Sequence, residues 1–334
     1  MKKVLILLVV IALFGCSKSE EDILSDFGYT QKEIEIIETF SEEQKQIFLS
    51  EYNSSYADLL NVEDFDIENL DLYMKYYQQL DNNKLVECIN NDLNIETIIE
   101  LSNDEYYIED YEDIYLEYVD SYNSIRKCIE AVNTKSYLDC YTNVIDTDTS
   151  KDYLMLINKY NKLSSDYEPE DLVEIEANYG SGYTRKEVYE QYKKLQDDAN
   201  ELGYDFWICS AYRSYGTQDA LYNKYLIADE GGQESVDTYS ARPGHSEHQS
   251  GLCLDLCDAQ YGMDDFGLSE ASAWLNENCY KYGFIIRYTE EKEKVTGYQA
   301  EPWQIRYVGS PEIAKDILDR NITFDEYYAF FIER

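Results

Sequence analysis

The chain holds two histidines in 334 residues, and one of them sits in the stretch that most constrains its fold. That stretch is Ser246-Glu247-His248-Gln249-Ser250-Gly251-Leu252-Cys253-Leu254-Asp255. A histidine before a bend, with an aspartate seven residues on inside an apolar run, is half of a zinc site. On a strand alternate residues share a face, so Cys253, Asp255 and Cys257 point one way and Leu252, Leu254 and Leu256 the other. The leucines are core. Asp255 then faces a cleft or a partner sheet, where a carboxylate needs a cation or a donor, and His248 lies close enough to share one ion with it.

The length predicts two domains, or one with a long extension. Apolar content of 44% supports packed cores and excludes a disordered chain. A formal net charge of −40 excludes nucleic-acid binding through a broad basic face. Lys2 and Lys3 precede an apolar run over residues 4–14 that is too short to span a bilayer, and the run ends Leu13-Phe14-Gly15-Cys16. The pattern resembles a bacterial lipobox. It implies a signal peptide over 1–15, lipid on Cys16, a polar tether over 16–24, and export to the outer face of a bacterial cell membrane. Seven further cysteines, an odd number, leave at least one thiol unpaired within the monomer.

Residues 25–135 read as an all-helical region. Thr30-Gln31-Lys32-Glu33 and Ser41-Glu42-Glu43-Gln44 are capping boxes, each followed by an apolar face. Further helices are expected over 70–80, 84–89 and 115–131. The tyrosine-rich acidic segment 104–120 has no central glycine for a calcium loop and reads as a solvated helix face. No nucleotide loop or internal repeat is evident. From residue 136 strands and helices interleave without a regular βαβ pattern: strands over 153–157, 206–210, 252–256, 284–288 and 303–308, and helices over 185–202, 218–226 and 269–282. The fold class is α+β.

Several motifs follow in order across 136–334. They are Ser210-Ala211-Tyr212-Arg213-Ser214, Gln218, Pro243-Gly244-His245 running into the opening stretch, Leu254-Asp255, Trp274-Leu275, Tyr282-Gly283-Phe284, Arg287-Tyr288, Thr296-Gly297-Tyr298 and Glu301-Pro302-Trp303. Together they resemble the VanY-type D-alanyl-D-alanine carboxypeptidases of the LAS group (lysostaphin, D,D-carboxypeptidases, hedgehog). The resemblance implies a central antiparallel sheet flanked by helices, one zinc ion, and a peptidoglycan stem peptide as substrate. It places metal ligands at His248 and Asp255, and the catalytic glutamate at Glu301, which takes a proton from the attacking water and returns it to the leaving amine. Arg213 and Gln218 fall where the family grips the substrate's terminal carboxylate and neighbouring amide. Ser246 and Tyr288 match positions that line the substrate site. His245 reads as a surface or supporting residue and not as a ligand.

The family's third ligand is a histidine, and here the position holds Gln304. An amide oxygen is a poorer donor than imidazole to a borderline-soft ion. Three readings stay open: a weakened zinc peptidase, a non-catalytic pseudopeptidase that still binds stem peptides, and a rewired site that recruits Cys257. The strand carrying Cys209 should lie beside that of Asp255, which suggests a Cys209–Cys253 bridge; Cys279 should be buried and free. The helical region would be a spacer or a partner-binding module.

Overall fold

A computed structural model describes residues 18–333. The expected signal segment 1–15 and the expected lipidation site at Cys16 lie outside them. The chain divides into two units after Glu105.

In the N-terminal unit, seven helices of seven to nine residues follow one another: Glu20–Phe27, Gln31–Glu38, Glu42–Ser50, Ser54–Leu60, Leu70–Tyr76, Asn82–Asn90 and Ile95–Ser102. Helices this short do not hold in water alone, so caps and packing must supply what length does not. The first three open on capping boxes, at Ser19 with Asp22, Thr30 with Glu33 and Ser41 with Gln44. Their apolar faces meet around Leu24, Tyr29, Ile34, Ile37, Phe48, Ala57 and Leu60. The expected tether over 16–24 is therefore shorter: residues 20–24 are helical and Leu24 is buried. The helices Ser54–Leu60 and Ile95–Ser102 were not expected; each starts on an asparagine cap, Asn53 and Asn94.

The C-terminal unit begins at Tyr106, not at residue 136. The Tyr106 ring stacks on Phe330 at 3.9 Å, and Arg320 donates to its hydroxyl at 3.1 Å. This ties residues 106–135 to the end of the chain. The helix expected over 115–131 is broken into Glu112–Tyr118 and Ile125–Asn133, because Tyr122 is extended and Ser124 caps a new helix. The acidic segment is not wholly solvated either: Glu112 and Tyr115 are buried, and Tyr107 donates to Glu112 at 2.5 Å.

One local motif does recur. The backbone N–H of Asp66 donates to the Tyr73 hydroxyl at 3.4 Å, and that of Ile108 to the Tyr115 hydroxyl at 3.3 Å. In each case a three-residue 3-10 turn runs straight into a seven-residue helix. The two segments are offset by 42 residues, and Glu63, Asp71, Tyr73 and Tyr76 recur as Glu105, Asp113, Tyr115 and Tyr118, a degenerate repeat that was not expected.

The site is built on a four-stranded antiparallel sheet in the C-terminal unit. Before it come two small pairs: β1 (Ile145–Asp146) parallel to β2 (Asn161–Lys162), and β3 (Leu172–Glu174) antiparallel to β4 (Tyr183–Arg185). The main sheet comprises β5 (Phe206–Ser210), β6 (Cys253–Asp258), β7 (Phe284–Tyr288) and β8 (Glu301–Tyr307), in the order β5-β6-β8-β7. One face packs Phe206, Ile208, Leu254, Leu256, Phe284 and Ile305 against Val188, Tyr192, Leu195 and Ala199 of the helix Lys186–Glu201. The strand expected over 153–157 does not form. A 3-10 turn covers Thr149–Leu154, and the carbonyls of Met155 and Leu156 accept from the Arg306 and Thr147 side chains instead of a sheet partner. Two unexpected helices, Pro311–Arg320 and Phe324–Phe331, close the chain against β7 through Ile285, Ala314, Ile317 and Phe324.

Candidate active site

The loop after β5 delivers Ala211 and Arg213. A 3-10 turn, Glu247–Ser250, delivers His248 and ends on Gly251 in the left-handed region at φ 67°, which lets the chain bend into β6. On β6, Asp255 stands directly opposite Gln304 of β8, while Glu301 of β8 stands opposite Tyr288 of β7. Arg213, Gln218, Ser246, His248, Asp255, Tyr288, Glu301 and Gln304, every site residue expected from the sequence within the described chain, line one cleft of about 260 Å³.

His248 Nδ1 lies 2.6 Å from the Ala211 carbonyl oxygen. A carbonyl only accepts, so Nδ1 carries the proton and Nε2 is turned to Asp255 Oδ2, 3.1 Å away. Asp255 is buried. Burial alone would raise its carboxyl, but the facing His248 and Arg213 more than offset this and hold it below the usual carboxylate range. Arg213 donates from Nη1 to Gln218 Oε1 at 2.8 Å and sets Nη2 3.5 Å from Asp255 Oδ2. Its buried Nε–H has no protein partner. Gln218 in turn donates to the Ala241 carbonyl at 2.8 Å. Gln218 therefore aims the guanidinium, and one of its own N–H groups is already committed.

The amide end of Gln304 lies 3.2 Å from Asp255 Oδ1 and 3.0 Å from Glu301 Oε2, and an amide turned with its NH₂ toward them donates to both. Burial, and next the Asp255 carboxylate, push the Glu301 carboxyl up to about 8, against the pull of Arg213 and Arg287.

Among the described residues no cluster of three or more His, Cys, Asp or Glu side chains is arranged to hold a metal. A third donor must come from Gln304, and its position allows that. His248 Nε2 lies 3.1 Å from one oxygen of Asp255, and the Gln304 amide end 3.2 Å from the other. Turning the amide over exchanges its NH₂ for its oxygen without moving the side chain. The residues fit one ion as a nitrogen–oxygen–oxygen set.

Two expectations about cysteine are corrected. Cys209 bonds to Cys257, with Cα atoms 6.0 Å apart, and Cys253 is a buried free thiol. Trp207 pairs with Cys257 and Ser210 with Asp255 across a bulge at Cys209, and β5 ends before it reaches Cys253. The bridge also removes Cys257 as a metal ligand. Cys279 is buried and free. His245 is buried and not on the surface, its Nδ1 bound to the Asn158 carbonyl oxygen at 2.8 Å.

The sequence gives no role to the charges behind His248. Arg287 donates from Nε to Glu247 at 2.8 Å and from Nη1 to Asp325 at 2.7 Å. Arg306 lies 3.4 Å from the other Glu247 oxygen, and Asn158 donates to Asp325 at 2.7 Å. Arg287, Arg306, Glu247 and Asp325 are all buried. They fix Glu247, and with it the turn that carries its neighbour His248. Two arginines on strands that also read as core were the only signal for this network.

Residues 181–310 match the VanY family, described as D-alanyl-D-alanine carboxypeptidase. The putative carboxypeptidase YodJ of Bacillus subtilis is 38% identical over 184 residues, which span 52% of this chain and 66% of the relative, just short of two thirds of its length. The bifunctional D-Ala-D-Ala dipeptidase and carboxypeptidase VanXYC of Enterococcus gallinarum is 34% identical over 54% of this chain and 95% of its own length. Among solved structures, the LdcB LD-carboxypeptidase superposes with a TM-score of 0.51 at 34% identity, covering 57% of this chain and 91% of that one. The chain therefore belongs to the VanY-type D-alanyl-D-alanine carboxypeptidase family.

Proposed function

We propose that this chain recognises the C-terminal end of peptidoglycan stem peptides and removes the terminal D-alanine by hydrolysis, with zinc the family's ion. The observation that carries the reading is the meeting of residues from separate chain segments in a single cleft: a carboxylate-gripping pair, a donor set and a general base. Arg213, which lines the cleft, meets the substrate's terminal carboxylate. Gln218 holds that guanidinium in place. Ser246 and Tyr288 form the walls, and Glu301 moves the proton from the attacking water to the leaving amine. An ion between His248, Asp255 and Gln304 would polarise the scissile carbonyl and, by its charge, keep Glu301 ionised, the form a base requires.

A second reading has its own observation. The Gln304 amide is placed to bond Asp255 and Glu301 together. A site locked in that way binds stem peptides without cutting them.

One experiment separates the two. Residues 17–334 are purified, bound metal is measured, and D-alanine release is assayed beside Glu301→Gln and Gln304→His. Because relatives include both a D-Ala-D-Ala carboxypeptidase and an LD-carboxypeptidase, peptides ending in D-Ala-D-Ala and in a single D-Ala are both used. Turnover that falls about 10²–10⁴-fold in Glu301→Gln supports the enzyme. A metal-free, inactive wild type beside a zinc-binding Gln304→His protein supports the binder.

We also propose export and anchoring by lipid on Cys16, supported by the basic start, the short apolar run and the cysteine that ends it. Among the described residues no helix is long and apolar enough to cross a membrane. Cys16→Ser should release the protein or leave its leader uncut; a processed variant that stays on the membrane would count against lipidation.

A further inference from the structure

The ion site of this chain differs from that of its family in more than strength. Two protein groups face the Asp255 carboxylate: Nε2 of His248 and the amide end of Gln304. One nitrogen and two oxygens make a harder set than two nitrogens and one oxygen. Imidazole favours the borderline ions, zinc among them, whereas carboxylate and carbonyl oxygen favour manganese, magnesium and calcium.

A second feature weakens the site. Without an ion, the Gln304 NH₂ is placed to donate to Asp255 at 3.2 Å and to Glu301 at 3.0 Å. Asp255 is an ionised carboxylate, so the bond to it is charge-assisted. An arriving ion must displace both bonds and turn the amide. A histidine at the same position would offer its nitrogen to the ion with no such flip. The bonds are lost whichever ion enters, so they lower affinity for every ion alike. Donor type alone changes the ratio between ions.

We propose that Gln304 re-specifies this site as a weak, exchangeable one whose preference for zinc over manganese(II) is much reduced relative to a histidine at that position. The proposal rests on the reading of the cleft as the family's catalytic site. Zinc keeps the higher absolute affinity, as the usual order of divalent ions requires. The ratio between the two ions is what changes.

The test reads binding, not turnover. Zinc affinity is measured by competition with a chromophoric chelator. Manganese affinity is measured by the loss of the free-ion signal in electron paramagnetic resonance. Wild type, Gln304→His and Gln304→Glu are compared, and calorimetry with a D-Ala-terminated stem peptide in chelator-treated buffer runs in parallel. Replacing even a supporting group of a metal site changes affinity about 10–100-fold. The zinc-to-manganese affinity ratio should therefore be at least about tenfold lower in wild type than in Gln304→His. Gln304→Glu keeps the side-chain shape and adds charge, so it should tighten manganese by about tenfold or more without restoring the ratio; this holds the test open if the histidine variant misfolds. Equal ratios in wild type and Gln304→His overturn the proposal, and so does a wild type that takes up neither ion at millimolar concentration. If the peptide still binds in that last case, stem-peptide recognition stands and only the ion proposal falls. If the peptide does not bind, the reading of the cleft falls as well.

Discussion

The two units of this chain are stabilised at different ranges. In the N-terminal unit the decisive interactions are local. Three successive capping boxes each close within three residues, and the helices they start bury a small aromatic and aliphatic core. In the C-terminal unit the decisive partners are far apart in sequence. Asp255 faces Gln304 across two strands, the Arg213 backbone donates to the His248 carbonyl, and Asn158 bonds Asp325 from 167 residues away. Local devices are worth about 1 kcal/mol each. A buried charge that loses its partner costs several times that. The comparison therefore predicts a hierarchy of perturbations, and tryptophan allows it to be read. All three tryptophans, Trp207, Trp274 and Trp303, lie in the C-terminal unit, so their fluorescence reports that unit alone.

The largest effect should follow Arg287→Met. The guanidinium holds both Glu247 and Asp325 in a fully buried setting, and methionine keeps much of the volume while leaving two carboxylates facing each other. Breaking one side of a buried pair costs about 3–5 kcal/mol. Denaturant unfolding followed by tryptophan fluorescence should show a loss of that size. A loss below about 1 kcal/mol would mean that the network relaxes or admits water, and that its place behind His248 is incidental.

Lys159 gives a smaller effect with a sign that can be checked. The side chain is buried. Its ammonium lies 3.8 Å from the Tyr298 ring centre and 4.8 Å from that of Tyr141, and it donates to the Asp237 carbonyl. Burial lowers its folded-state value to about 8, from about 10.5. Between those values the unfolded chain binds the extra proton. Stability should therefore rise with pH through this window, by up to about 3 kcal/mol for this group. Lys159→Met should flatten that part of the stability–pH curve. A curve of unchanged slope would show that the lysine is as well solvated folded as unfolded.

The same contrast governs what the sequence reveals. β5 and β7 fall at the expected bounds, and every proposed site residue within the described chain reaches the cleft, because an ordered series of motifs carries the long-range information. Where no motif carries it, the reading fails. Alternation along β6 puts Cys253 and Cys257 on one face, and the choice between them depends on a bulge at Cys209 and on where β5 stops. The segment 155–157 is apolar enough for a strand, but its carbonyls are taken by Arg306 and Thr147, which no local pattern announces. The 106–135 segment looks like more of the helical region because it is made of the same short helices. Its membership in the other unit rests on Tyr106 meeting Phe330.

The smallest perturbation tests the comparison from the other side. Thr30 accepts from the Glu33 backbone at 3.4 Å, and Glu33 returns a 2.8 Å bond from the Thr30 backbone N–H. Glu33 is buried and also takes a bond from Asn61, so this box links two helices of the N-terminal unit. Thr30→Ala removes one half of the reciprocal pair and should cost about 1 kcal/mol. That loss should appear in far-ultraviolet circular dichroism, which sees every helix. The fluorescence transition should stay where it was, because no tryptophan lies in this unit. If the fluorescence transition moves by as much as the helical one, the two cores unfold together, and the division between local and long-range stabilisation no longer describes how the chain comes apart.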